Sequence, residues 1–118
     1  MRAWEQPADG VMRTELARSR ELLGRAMTES DFQRLITDLA ETRKWRWWHD
    51  MDSRRNKAGL PDLLMVRGNR LVFAELKRRG GKVSQAQQEW LDELERCTSV
   101  EAHVWFPDDF DRAREVLL

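Results

Sequence analysis

Residues 60–77 read LPDLLMVRGNRLVFAELK, and the pair Gly68–Asn69 at their centre decides how the rest is laid out. Two strand-like runs, Leu60 to Arg67 and Arg70 to Lys77, flank that pair, which favours a two-residue type II′ hairpin turn. With two residues in the turn, Arg67 faces Arg70, Leu64 faces Phe73 and Asp62 faces Glu75. Directly opposed residues have Cβ atoms about 4.5 to 5.5 Å apart, and like charges there are destabilising. A cation should lie close by. Strand side chains repeat with period two, so Lys77 emerges on the same face as Glu75 and can supply it. Leu64, Val66, Leu71 and Phe73 make the rest of that face apolar, while Leu63, Met65, Val72, Ala74 and Leu76 line the other. Both faces are expected to be largely buried.

Two readings of Asp62, Glu75 and Lys77 follow from the residues alone. One is a surface salt-bridge cluster at a strand end. The other is a metal site, because acids placed at the end of an apolar hairpin are costly unless compensated. Hard Mg²⁺ prefers carboxylate, carbonyl and water oxygens, and the backbone carbonyl of Leu76 could add a donor to Asp62 and Glu75.

Upstream of the hairpin, residues 1–10 contain Pro7 and Gly10 without periodicity and read as a loose arm. Residues 11–26 read as a helix with a thin stripe of Met12, Leu16 and Leu23, which either lies on its own core or reaches a second subunit. Thr28 and Ser30 are both candidate N-caps for the next helix, and Ser30 with Gln33 has capping-box spacing. Phe32, Leu35, Ile36 and Leu39 give that helix an apolar stripe. Trp45 to His49 suits a strand, and Met51 to Gly59 a polar, basic loop. His49 is either a general base or structural.

Downstream, a loop through Gly80 and Gly81 leads to Ser84, which with Gln87 forms a capping box before Ala86, Trp90, Leu91 and Leu94. Val100 to Phe106 reads as a strand, and Pro107 precedes a terminal helix using Phe110, Ala113 and Leu117. The expected fold class is α/β, a small mixed β-sheet around the hairpin with flanking α-helices and the site at one sheet edge.

The 118 residues suit one domain, and the composition, 41% hydrophobic and 36% charged, suits a globular one. No run of about 18 apolar residues is present to span a bilayer, and the start of the chain lacks a secretory pattern. A single cysteine, Cys97, reads as a small apolar residue in a reducing compartment. The chain therefore reads as cytoplasmic. Its formal net charge is zero, yet the charges are segregated: residues 1–42 carry 6 basic and 8 acidic side chains, residues 43–82 carry 12 and 4, and residues 83–118 carry 3 and 9. Screening limits each charge to roughly 10 Å, so the basic middle can neutralise phosphates unless acidic helices fold back to pair with it. Arg54, Arg55, Lys57, Arg78, Arg79 and Lys82 lie in the two loops flanking the acids and are the candidate DNA contacts. The six Trp are read mostly as core residues, since no alternating basic-aromatic platform for stacking bases is evident.

Leu60-Pro61-Asp62 followed by Glu75-Leu76-Lys77 resembles the motif of the PD-(D/E)XK nucleases. The surrounding words are more specific: Thr-Glu-Ser-Asp-Phe-Gln from Thr28, Gly-Leu-Pro-Asp-Leu from Gly59, Ala-Glu-Leu-Lys from Ala74 and Gln-Gln-Glu-Trp-Leu from Gln87. Together they resemble the VRR-NUC family in its stand-alone phage or bacterial form. The resemblance runs from Thr28 to the C-terminus, leaving residues 1–27 as an arm and helix that could dimerise, beside a nuclease-like domain over 28–118. It implies a restriction-endonuclease-like core in which Asp62 and Glu75 hold Mg²⁺, with Mn²⁺ as a substitute, and Lys77 positions or deprotonates the attacking water. It also carries over Glu29, a further candidate ligand, and Gln87.

Glu29 has an alternative role as a first-turn carboxylate favoured by the helix dipole, although it also extends the core-facing stripe. Gln87 has one as the closing residue of the Ser84 box. The implied function is that of a Holliday-junction-resolvase-like endonuclease acting as a homodimer on branched DNA in repair. The alternatives are the same chemistry on flap or linear DNA, and a non-catalytic DNA-binding module.

Overall fold

The computed structural model describes residues 26–50 and 58–118. The helix expected over 11–26, Ala26 apart, and most of the loop after His49 lie outside these residues. Helix α1 (Glu29–Thr42) is capped by Thr28, whose Oγ1 accepts from the Asp31 N–H at 3.0 Å while the Asp31 carboxylate accepts from the Thr28 N–H at 3.3 Å. The capping box is thus Thr28–Asp31 and not Ser30–Gln33, because the short Asp31 side chain satisfies the earlier cap and the helix starts two residues sooner. Phe32, Ile36, Thr37 and Ala40 are buried, whereas Leu35 is 36% exposed. Residues 32, 36 and 40 form one line along the helix, and Leu35 stands about 100° round from it.

The helix ends in a Schellman motif. Lys44 takes φ 68°, the Trp45 N–H reaches the Ala40 carbonyl at 2.9 Å and the Lys44 N–H reaches that of Glu41 at 3.1 Å. The reversal delivers the chain into strand β1 (Arg46–His49).

Strands β2 (Leu63–Arg67), β3 (Arg70–Leu76) and β4 (Val100–Trp105) complete a sheet of order β1-β2-β3-β4. The first three run antiparallel, and β4 lies parallel to β3. A parallel neighbour requires a crossover, which helix α2 (Gln85–Glu95) supplies. The hairpin has the expected register, with Arg67 opposite Arg70 and Leu64 opposite Phe73. Gly68 takes φ 61° while Asn69 does not take a positive φ, as a type II′ turn requires. The opposed arginines are accommodated by Trp45: their Cζ atoms lie 4.6 Å (Arg67) and 5.0 Å (Arg70) from its ring centroid, and Arg70 makes a bidentate pair with Glu101.

Helices α1 and α3 (Phe110–Val116), the latter entered through a 3₁₀ turn at Pro107–Asp109, cover one face of the sheet. There Phe32, Ile36, Leu63, Met65, Val72, Ala74, Leu76, Trp105, Ala113 and Leu117 form the core. Trp45 donates from Nε1 to the Leu117 carbonyl at 3.0 Å, and Arg67 donates to the carbonyls of Arg43 and Leu118, tying the chain's end to the hairpin. The other face departs from expectation. Leu64, Leu71 and Phe73 are only half-buried and Val66 is 37% exposed, because among the described residues α2 is the one helix on that side, against β4. Cys97 is exposed just beyond α2 and takes no part in the core. Among the described residues no helix is long and apolar enough to cross a membrane.

Candidate active site

Glu75 is the penultimate residue of β3 and, at 1% exposure, the most deeply buried charged group described. Its Oε1 accepts from the backbone N–H of Asp62 at 3.2 Å. Its Oε2 accepts from Gln87 Nε2 at 2.7 Å and lies 3.1 Å from Lys77 Nζ. The acids therefore meet differently from the strand pair expected. β2 starts at Leu63, paired with Ala74, and Asp62 lies one residue outside it. Pro61, which carries no N–H, precedes it, and the Asp62 N–H turns to the Glu75 side chain in place of a ladder partner.

Three segments hold this arrangement. The Lys77 N–H bonds to the Trp105 carbonyl at 3.0 Å, so the parallel neighbour fixes the lysine after β3 has ended. The Asp62 carbonyl accepts from the Asp50 N–H at 2.9 Å, which ties the end of β1 to the site. Gln87 combines the two roles left open by its sequence: Oε1 accepts from the Ser84 N–H at 2.9 Å, and Nε2 holds Glu75. Gly59, at φ 101°, lets the segment before Asp62 pass against α2, since a Cβ there would sit 2.5 Å from the Ala86 carbonyl oxygen.

Burial, and after it the neighbouring Asp62 charge, pushes the Glu75 carboxyl up to about 7 against the pull of Lys77. Asp62 is raised too, chiefly by burial, with its hydrogen bond to Glu75 and the Lys77 charge opposing. Asp50 adds to that rise and His49 counters it, which places both beside Asp62. Asp50 was not identified from sequence, because the connection from β1 to β2 is too long for a turn rule to set its register.

The donors suit a hard divalent cation: two carboxylates brought together with one lysine, and the Leu76 carbonyl between Glu75 and Lys77. A carboxylate offers about four acceptor sites, and three of those on Glu75 are engaged. Among the described residues no group of three or more His, Cys, Asp or Glu side chains could hold a metal, so Glu29 does not join Asp62 and Glu75. Glu29 is exposed in the first turn of α1, past the edge of the core, in the position favoured by the helix dipole. Of the basic candidates, Arg78, Arg79 and Lys82 follow Lys77 in the β3–α2 connection, with Arg78 and Lys82 exposed and Arg79 3.8 Å from Asp108. Arg54, Arg55 and Lys57 lie outside the described residues.

A mixed sheet whose central hairpin brings Asp, Glu and Lys together at its open end has the architecture of a restriction-endonuclease-like nuclease core. The sequence matches the VRR-NUC domain over residues 3–105 and belongs to that family. This match takes in most of the N-terminal segment that the motif words leave out, and ends at the last residue of β4. It makes the chain a nuclease-type domain with DNA as the substrate class. A solved VRR_NUC domain protein has the same fold, with a TM-score of 0.59 and 21% identity over 77% of this chain and 85% of its own. No curated protein matches the sequence.

Proposed function

We propose that this chain is a Mg²⁺-dependent endodeoxyribonuclease, served also by Mn²⁺, that hydrolyses phosphodiester bonds in branched DNA. In this reading it works as a homodimer in DNA repair, in the manner of a Holliday-junction resolvase, in the cytoplasm of a bacterium or phage-infected cell. The observation that carries the chemistry is the Asp62–Glu75 pair, in which the buried Glu75 carboxylate bonds to the Asp62 N–H at 3.2 Å and lies 3.1 Å from Lys77 Nζ. Asp62, Glu75 and the Leu76 carbonyl would hold the metal. Bound there, it would polarise the phosphoryl oxygen and lower the pKa of a bound water.

The chain's own groups do the rest. Gln87 and the Asp62 N–H orient Glu75, and Lys77, fixed through its backbone to Trp105, places an amine where water attacks phosphorus. Water's oxygen bonds to phosphorus, the P–O bond to one sugar breaks, and the products are a phosphate monoester and a sugar hydroxyl. Arg78, Arg79 and Lys82 are assigned to the phosphate backbone, as are, from the sequence alone, Arg54, Arg55 and Lys57. A two-fold pair of sites matches the two equivalent strands of a four-way junction.

The test is cleavage of a junction, a flap and a plain duplex of shared sequence, with Mg²⁺ and with EDTA. Metal-dependent cutting that favours the junction supports the proposal. Equal or better cutting of flap or duplex moves the activity to the alternative substrate. No cutting, with DNA binding unchanged by metal, makes the chain a binding module.

A further inference from the structure

On the face that carries Glu75, the cross-strand rows can be followed away from the acids. The row beside them is Trp48–Leu64–Phe73, and the next is Arg46–Val66–Leu71. Helix α2 covers the β3–β4 side of this face, where Leu91 is buried and Gln87 holds Glu75. No described helix covers the β1–β2 side. Trp48 is 50% exposed, Val66 is 37% exposed and Arg46 is exposed. A large aromatic surface with a cation two residues away thus starts one row from the acids, in the chain segment that carries 12 of the 21 basic residues.

Its distance from the acids suits a nucleic-acid strand. Rows on one face are about 6.8 Å apart and strands about 4.8 Å apart, which puts Trp48 roughly 12 Å from Glu75. At about 3.4 Å of axial rise per nucleotide, that is three or four nucleotides along a strand. Trp47, one residue earlier, pairs with Met65 and points to the opposite, core-side face, so the two adjacent tryptophans differ in what they can reach.

We infer that Trp48 stacks on an unpaired base of the DNA strand lying across the sheet, with Arg46 on its phosphate, and that this selects substrates carrying an unpaired nucleotide about three or four positions from the cut. The inference rests on the nuclease reading for its substrate class. A base inside a continuous duplex has no free face to offer, whereas one in a gap or flap does. The exposed apolar surface and the adjacent guanidinium answer the two parts of a nucleotide, its ring and its phosphate.

The experiment is fluorescence anisotropy of the full chain in EDTA, which separates binding from cleavage. The probes are a labelled duplex with a short central single-stranded gap and the same duplex without it. Stacking on one base is worth enough that Trp48→Ala should weaken gapped-DNA binding about 10-fold or more, with duplex affinity unchanged within about 2-fold. Trp48→Phe, which keeps an aromatic face, should retain most of the gapped-DNA affinity. Equal losses on both probes, or no loss on the gapped one, would overturn the inference. So would a Trp48→Ala protein that changes from dimer to monomer in sedimentation, since the surface would then serve a second copy. Loss of gap preference in a protein that cuts no DNA with Mg²⁺ would leave this inference standing and remove the nuclease reading. The reverse pattern would do the opposite.

Discussion

Gln87 Nε2 and Lys77 Nζ converge on one oxygen, Oε2 of Glu75, at 2.7 and 3.1 Å. The same glutamine closes the cap of α2 through its Oε1. The cap and the site therefore share a side chain, and two substitutions separate them. Ser84→Ala removes the cap alone and should cost about 1 kcal/mol in urea unfolding with little change in cleavage rate. Gln87→Ala should cost a similar amount and also slow cleavage, by roughly 10-fold or more, because Glu75 loses a hydrogen bond that orients it. Equal rates in the two variants would confine Gln87 to the cap.

The raised Glu75 carboxyl has a consequence for stability without metal. Its folded value, about 7, lies above its ordinary value of 4.5, so the folded chain holds the proton more tightly than the unfolded one. The stabilisation is complete below the ordinary value and is lost as pH rises through about 7. Urea unfolding in EDTA between about pH 5 and pH 8 should show the wild type losing stability, on the order of 1–3 kcal/mol, with a much flatter profile for Glu75→Gln. A wild-type profile that rises with pH across this window would contradict the assignment.

Gly59 is required by close packing as well as by its positive φ. Gly59→Ala would drive a Cβ into the Ala86 carbonyl and Trp90 Cδ1 in the first turns of α2. It should destabilise the chain by about 2 kcal/mol or more and reduce cleavage beyond that, since the shifted helix carries Gln87. Thermal unfolding together with rates measured well below the transition tests both parts.

Lys44 invites the opposite change. It is a non-glycine residue at φ 68° in the Schellman turn. Lys44→Gly should relieve left-handed strain and stabilise the fold by about 0.5–1 kcal/mol, after the larger entropy lost by glycine on folding. Denaturant midpoints of the two proteins decide it.

How much of this was legible beforehand follows from where the information lies. The hairpin register was readable because a two-residue turn fixes every pair from Arg67–Arg70 onward. The family words around Asp62 and Glu75 were readable for the same local reason. The partners of Glu75 were not, because Gln87 reaches it from a helix placed by the crossover, and the Asp62 N–H is free for it only because β2 stops at Leu63. The reading of the six Trp as mostly core does not single out Trp48, since composition cannot tell which strand edge α2 leaves uncovered. Leu35 and Glu29 were misplaced by reading the stripe of α1 too broadly, and Cys97 by its residue type alone.

The central claim is that Asp62, Glu75 and Lys77 cut DNA with a divalent metal. Its most direct measurement is the rate of junction cleavage by wild type and Lys77→Ala, each with Mg²⁺ and with EDTA, on proteins shown to unfold at similar temperatures. Wild type should cut only with metal, and Lys77→Ala should cut about 100-fold or more slowly. Equal cutting by the two proteins, or cutting that persists in EDTA, would contradict the claim.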